Sequence, residues 1–157
     1  MFTSPSSLPE SARSAISQAL NAALADGLDL HSQIKVAHWN IKGPHFASLH
    51  PLLDSFADSL SEHNDELAER IVTLGGRALG TVRHVAQTSR LADYPSETTR
   101  DLDHVRLLAE RFGGYLAGLR SARSVAAASG DDDSEDLLTG IARDFEKHAW
   151  FLIATLE

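Results

Sequence analysis

The stretch Val36 to Arg70, VAHWNIKGPHFASLHPLLDSFADSLSEHNDELAER, carries four of the eight histidines of the chain and a run of acidic residues threaded between apolar ones. Imidazole and carboxylate in that mixture suit Fe(II), with Mn(II), Co(II) and Zn(II) as alternatives, and leave room for an oxidant or a second, loosely held ion. The competing reading is a solvated outer helix face, on which acids need no ligand. With no cysteine in the chain, disulfides, thiolate zinc sites, iron–sulfur clusters and thiol catalysis are excluded, so any metal is held by nitrogen and oxygen.

Spacing sharpens the choice. With His50 at zero on a helical wheel, Asp54 falls at about 40°, Asp65 at about 60° and Glu69 at about 100°, while the apolar stripe centres near about 270°. The four candidate ligands therefore share an arc turned away from the stripe. An iron site inside one bundle draws inward ligands from several helices, typically through Glu-x-x-His, and this chain has no Glu-x-x-His. Along the axis His50 and Glu69 lie roughly 28 Å apart, and Asp54 and Asp65 roughly 16 Å, too far to close around one ion.

An antiparallel copy of the same helix across a two-fold axis resolves the distance problem. His50 and Glu69 have the same position sum as Asp54 and Asp65, so one register sets His50 level with the partner's Glu69 and Asp54 level with the partner's Asp65. Ala57, Asp58, Ser61 and Ala68 are small enough for close approach at such a seam. His38 joins from the end of the preceding helix, across the short Gly43-Pro44 turn. The expected site takes His38, His50 and Asp54 from one chain and Asp65 and Glu69 from its mate.

The elements that must position these residues are helices. A length of 157 residues fits one domain, with residues 1–8, rich in Ser and Pro, as a short mobile tail and residues 9–157 as the bundle. Apolar residues recur with helical period at Ile16, Leu20, Ala23, Leu30, Ile34 and Ala37, then from Leu49 to Leu74 before Gly75-Gly76. Residues 77–95 lack a sustained period and are expected to form a long connection with one short helix. Ser96 is the expected cap of a third long helix striped by Leu102, Val105, Leu108, Phe112, Leu116 and Leu119. A fourth follows the AASGDDDS loop with Leu138, Ile141, Phe145, His148, Leu152 and Leu156. No strand pattern competes. The fold class is all-α, a ferritin-like four-helix bundle with a long crossover between its second and third long helices.

Net charge is −8 with only three lysines, and Arg13 is the sole basic side chain before Lys35. That balance disfavours nucleic acid and anionic membrane and favours cations. No basic segment leads into an apolar block, and no run of eighteen apolar residues occurs, so a cytoplasmic location is expected.

The segment KVAHWNIKGPHFASLHPLLDSFADSLSEHNDELAERIVTLGG and the end GDDDSEDLLTGIARDFEKHAWFLI resemble the Dps family, the small ferritins of bacteria. The carrying pattern is His-Trp-Asn, then Leu-His-x-x-x-Asp, then Asp-x-x-x-Glu-Arg. The resemblance implies a hollow homododecamer built from two-fold dimers, in which Fe(II) is oxidised, preferentially by hydrogen peroxide rather than O2, at ferroxidase sites between subunits. The ferric product would be stored as a mineral, protecting against oxidative damage. The family's five ligands fall on His38, His50, Asp54, Asp65 and Glu69. Trp39 matches the tryptophan beside that site, although a packed aromatic explains it as well. The family's three-fold pores, through which iron enters, match the acidic run at the start of the last helix, with Asp136 first and Asp132 and Asp133 after it. Capping and helix-dipole complementation would also account for those acids.

Departures from the family bear on partners. DNA-binding relatives often carry a lysine-rich tail, and this chain has none, so no direct DNA binding is expected. The alternative class is a nucleoid-associated DNA-binding protein with weak ferroxidase activity, and a third is a metal-buffering cage without turnover. His148 stands on the core stripe, as a hydrogen-bonded core histidine or as an extra nitrogen ligand that would favour Zn(II) as a competing or inhibitory metal. His45 reads as a surface or capping residue and His63 as structural. Pro51 is tolerated if the second helix begins near Ser48.

Overall fold

The computed structural model describes residues 3–157, and Met1 and Phe2 of the expected tail lie outside the described residues. Pro9, which has no N–H to leave unpaired, precedes α1 (Glu10–Asn40), and α2 spans Phe46–Thr73. α3 (Val82–Thr88) is the short helix of the crossover, followed by α4 (Asp101–Ala128) and α5 (Asp132–Leu156). Each long helix buries the stripe read from its period, including Leu20, Leu30, Ile34, Leu53, Leu60, Leu67, Leu108, Leu119 and Leu152. Fully burying such a side chain contributes about 1.5–3 kcal/mol.

Short turns make α1/α2 and α4/α5 neighbouring pairs, and α1 packs against α4 to close the bundle. Phe56, Phe112, Tyr115 and Phe145 meet edge-on or tilted at its centre. α2 ends as Gly75, at φ 84°, turns the chain so that Gly76 N–H reaches Ile71 O at 2.9 Å. The crossover is tied down by charge: Arg90 donates from Nε and NH2 to Asp26, which is 1% exposed. Arg111 donates to the carbonyls of Ala92 and Asp93.

Two local expectations change. Ser96 caps no helix: its hydroxyl reaches Glu97, and α4 begins only at Asp101. The reason is a long-range pairing, in which Lys42 N–H donates to Thr99 O (2.8 Å) and Asp101 N–H to Lys42 O (2.9 Å), holding Arg100 extended just ahead of the helix. Because α2 starts at Phe46 rather than near Ser48, Pro51 falls in its second turn and Ala47 O loses its helical donor. Residues 3–8 run along the end of α2, with Ser4 Oγ donating to Thr73 O and Leu8 packed on the core. Among the described residues no helix is long and apolar enough to cross a membrane.

Candidate metal centre

His38 stands in the last turn of α1 and His50 near the start of α2, so the five-residue turn between them brings the rings together. The rings stack with centroids 3.7 Å apart and planes inclined by 20°. His38 Nδ1 lies 2.8 Å from His50 O, and His50 Nδ1 lies 2.9 Å from His38 O. A carbonyl oxygen only accepts, so both Nδ1 atoms carry the proton. That tautomer leaves Nε2 as the nitrogen of each ring whose lone pair can take a cation.

Asp54, one turn after His50, is the carboxylate of this group. Its Oδ1 lies 3.8 Å from His38 Nε2 and 2.6 Å from Lys35 Nζ. The Lys35 hydrogen bond is the main cause that holds the Asp54 carboxyl below its ordinary range, against some desolvation. Lys35 is one turn before His38 on α1, so an ammonium fills the position where a bound cation would neutralise Asp54. Lys35 is not marked in the sequence as a member of this group. Its spacing from His38 was available, but the partner on α2 is visible only once the two helices pack.

Asp65 and Glu69 lie further along the same face of α2. Both are exposed, and neither carboxylate makes a hydrogen bond or ion pair within the described chain. Asp65 borders a cleft of about 570 Å³ between α1 and α2, lined also by Leu24, Leu28, His31, Glu62 and Ala68. Among the described residues no three His, Asp or Glu side chains are grouped to hold a metal within one chain. The structure sets His38 against His50 and Asp54 near His38, pairwise contacts that fall short of a closed three-ligand group, and leaves Asp65 and Glu69 apart from them. Trp39, beside His38, is 67% exposed rather than packed.

His148 sits elsewhere. Its ring stacks on Phe56 at 4.4 Å and meets Phe145 edge-on, on a face of α2 about 120° round from His50. Its buried Nδ1 has no hydrogen-bond partner, and burial pushes its pKa below the usual histidine value, with Asp144 opposing. His63 spans two helices, with Nδ1 3.0 Å from Glu66 and Nε2 3.0 Å from Asp144, which is a structural role. At the start of α5, Asp131 is the cap, accepting from Ser134 N–H, and Arg70 of α2 reaches it at 2.7 Å. Asp132, Asp133 and Asp136 are exposed beyond it.

His45 also acquires a partner that the sequence did not reveal. Its backbone N–H and Nδ1 both reach the Asp101 carboxylate, at 2.8 and 2.9 Å. No local spacing signals this contact, which joins residues far apart in the chain.

The family profile described as a ferritin-like domain matches residues 17–157. The chain is 41% identical over 150 residues to the DNA protection during starvation protein of Agrobacterium fabrum, covering 96% of this chain and 93% of that one. It superimposes on Dps of Mycobacterium smegmatis with a TM-score of 0.95 at 30% identity, covering 100% of this chain and 94% of the other. The Dps protein of Vibrio cholerae, described as a member of a broad superfamily of ferritin-like diiron-carboxylate proteins, gives a TM-score of 0.93 at 27% identity, covering 100% and 98%.

Proposed function

The chain belongs to the Dps family of ferritin-like proteins, and from that premise we propose that it oxidises Fe(II) and stores the ferric product. The oxidation site is completed between two copies of the chain. His38, His50 and Asp54 come from one, and Asp65 and Glu69 from its two-fold mate. The observation that carries this reading is the reciprocal hydrogen bonding of His38 and His50, which commits both Nδ1 atoms to backbone carbonyls and leaves both Nε2 atoms free. The unspent carboxylates of Asp65 and Glu69 supply what the histidine half lacks.

Fe(II) is the substrate. It meets Nε2 of His38 and His50 and the Asp54 carboxylate, which must first part from Lys35. Anionic ligands favour Fe(III) over Fe(II), so the carboxylates lower the cost of removing an electron. Two Fe(II) ions each give up one electron; the peroxide O–O bond breaks, takes those two electrons and two protons, and yields two water molecules. Hydrogen peroxide is the preferred oxidant, with O2 as the slower one. Consuming Fe(II) and peroxide together suppresses hydroxyl-radical formation, a protective role in keeping with the name of the Agrobacterium relative.

Storage follows from a hollow homododecamer of two-fold dimers, with Asp136, assisted by Asp132 and Asp133, lining the pores through which iron enters. Zn(II), which accepts the same nitrogen and oxygen ligands, competes for the site. Direct DNA binding is absent from this reading: the net charge is −8, and Arg13, the one basic residue ahead of Lys35, donates to Leu74 O.

Anaerobic Fe(II) loading followed by peroxide or O2 tests the proposal. Wild type oxidises iron well above the buffer rate, faster with peroxide, and Asp65→Ala/Glu69→Ala falls to the buffer rate. Wild type no faster than buffer would end the reading.

A further inference from the structure

The turn between the two ligand histidines is not free. Ile41, where α1 stops, is 2% exposed, and Lys42 pairs with Arg100 in an isolated parallel bridge. Gly43, at φ 143°, passes so close to Asp101 that a Cβ there would lie 2.5 Å from the carboxylate carbon. The Asp101 side chain, 8% exposed, is the hub of this contact. Its Oδ2 accepts from His45 N–H at 2.8 Å and from His45 Nδ1 at 2.9 Å, and its Oδ1 accepts from Leu102 N–H at 2.9 Å.

His45 is the residue from which α2 departs, and its carbonyl accepts from Leu49 N–H in the first helical turn at 2.9 Å. The next residue, Phe46, lays its ring against His50 at 4.9 Å, and His50 in turn stacks on His38 at 3.7 Å. A continuous line of contact therefore runs from Asp101 on α4 through His45 and Phe46 to the two imidazoles. Its first three members, Asp101, His45 and Phe46, lie outside the ligand set. The reciprocal His38–His50 bonds fix how the rings face each other, but the angle at which α2 leaves the turn is set where His45 is held.

We propose that Asp101 and His45 are positioning residues of the metal centre, clamping the start of α2 to α4 so that His50 Nε2 and Asp54 are presented to a cation together with His38. The inference rests on the proposed metal centre. It assigns function to a pair that contacts neither metal nor oxidant.

The chemistry of the clamp makes distinct demands on each partner. Everything that meets the Asp101 carboxylate is a donor, so an amide, which is half donor, turns an NH2 toward one of those donors and cannot replace it. His45 is different: Nδ2 of asparagine hangs on Cγ as Nδ1 of histidine does, so His45→Asn keeps a donor toward Asp101. The pair therefore predicts unequal tolerance of two conservative changes.

The experiment uses Co(II) as a redox-inert probe, titrated anaerobically into the assembled protein and read by its visible d–d absorption, with thermal melting and assembly size followed in parallel. Asp65→Ala/Glu69→Ala is the control for the centre itself. If that variant binds Co(II) like wild type, the proposed centre has failed, independently of the clamp. With the centre established, Asp101→Asn and His45→Ala are expected to weaken Co(II) about tenfold and alter the d–d spectrum, in line with losses of outer-shell partners elsewhere. His45→Asn is expected to bind within about twofold of wild type. Should Asp101→Asn fail to assemble, His45→Ala, which retains the backbone bond and the Asp101 carboxylate, decides alone. Wild-type affinity and spectrum in His45→Ala, even with a lowered melting temperature, would overturn the inference and reduce the clamp to a fold contact.

Discussion

His38 and His50 each hold the other by the backbone: the Nδ1–H of either ring donates to the other residue's carbonyl, at 2.8 and 2.9 Å, while the rings stack at 3.7 Å. The ends of α1 and α2 thus serve as each other's hydrogen-bond acceptors. The orientation of both rings is set before any cation arrives, which lowers the ordering cost of binding. In the proposed centre these two rings are the half that one chain preorganises, while Asp65 and Glu69 lie further along α2, out of their reach.

Lys35 holds Asp54 at 2.6 Å, so in the proposed centre it competes with a cation for that carboxylate. Replacing it by methionine removes the competitor and is expected to tighten Co(II) binding about three- to fivefold, the scale of a half-exposed ion pair. The Asp54 carboxyl would also return toward its ordinary range, so the gain narrows as pH falls toward that range. Isothermal titration of both proteins from neutral pH down to about pH 4, close to the ordinary aspartate value, reads both effects. Weaker binding by Lys35→Met would make Lys35 a helper of the site instead.

His148 gives a pH signature in stability. Its pKa is lowered in the folded chain by burial, so the unfolded chain takes up its proton first as pH falls. Stability from this group is complete above the ordinary histidine value of about 6.5 and declines below it, until the folded-state value is reached. His148→Phe removes that decline and the unpartnered Nδ1, and is expected to gain about 1 kcal/mol at neutral pH. Denaturant midpoints across pH 7 to 5 should show a flatter profile for the variant. Its iron oxidation rate should equal that of wild type, because His148 packs on Phe56 away from His50; a slower rate would return it to the ligand set.

Arg70 ties α2 to the start of α5 through Asp131, which is 3% exposed, and Ser134. Arg70→Ala leaves a buried carboxylate without its cation and is expected to cost about 3 kcal/mol, read by denaturant unfolding. Asp131→Asn in the same chain should recover part of the loss, since a neutral amide still caps Ser134 N–H and no longer needs a charge partner. No recovery would mean that Arg70 acts through packing rather than charge.

A gel-shift titration with duplex DNA at low salt should give no retarded band. Phosphate binding needs several clustered basic contacts, and a chain of net charge −8 with three lysines opposes the approach of a polyanion. A retarded band under these conditions would favour the nucleoid-associated alternative.

The helices and their buried faces were legible because the apolar period repeats for six or more turns in α1 and α2. The five proposed ligands could be named from the sequence because matched spacing on α2 and the family pattern select the same four positions, and His38 joins them across the short turn from α1. What stayed hidden arises from contacts between distant segments. Ser96 has the right chemistry for a cap, but the pairing of Lys42 with Arg100 keeps the chain extended past it. Lys35 and Asp54, and His45 and Asp101, carry no mutual spacing signal, because each pair exists only after two helices have packed. Pro51 looked like a first-turn proline because nothing local marks His45, committed to Asp101, as the residue from which α2 departs.

Sharing of the site between two chains is the centre of the account, and complementation measures it. One chain carries His38→Ala/His50→Ala and the other Asp65→Ala/Glu69→Ala, and each is assayed alone and after co-expression for peroxide-driven Fe(II) oxidation. In a mixed two-fold dimer one site loses both halves and the other keeps both, so random pairing restores about one quarter of the wild-type sites. The account predicts buffer-level rates for each variant alone and about one quarter of the wild-type rate for the mixture. A mixture as inactive as its components, or a single variant that retains activity, would contradict it.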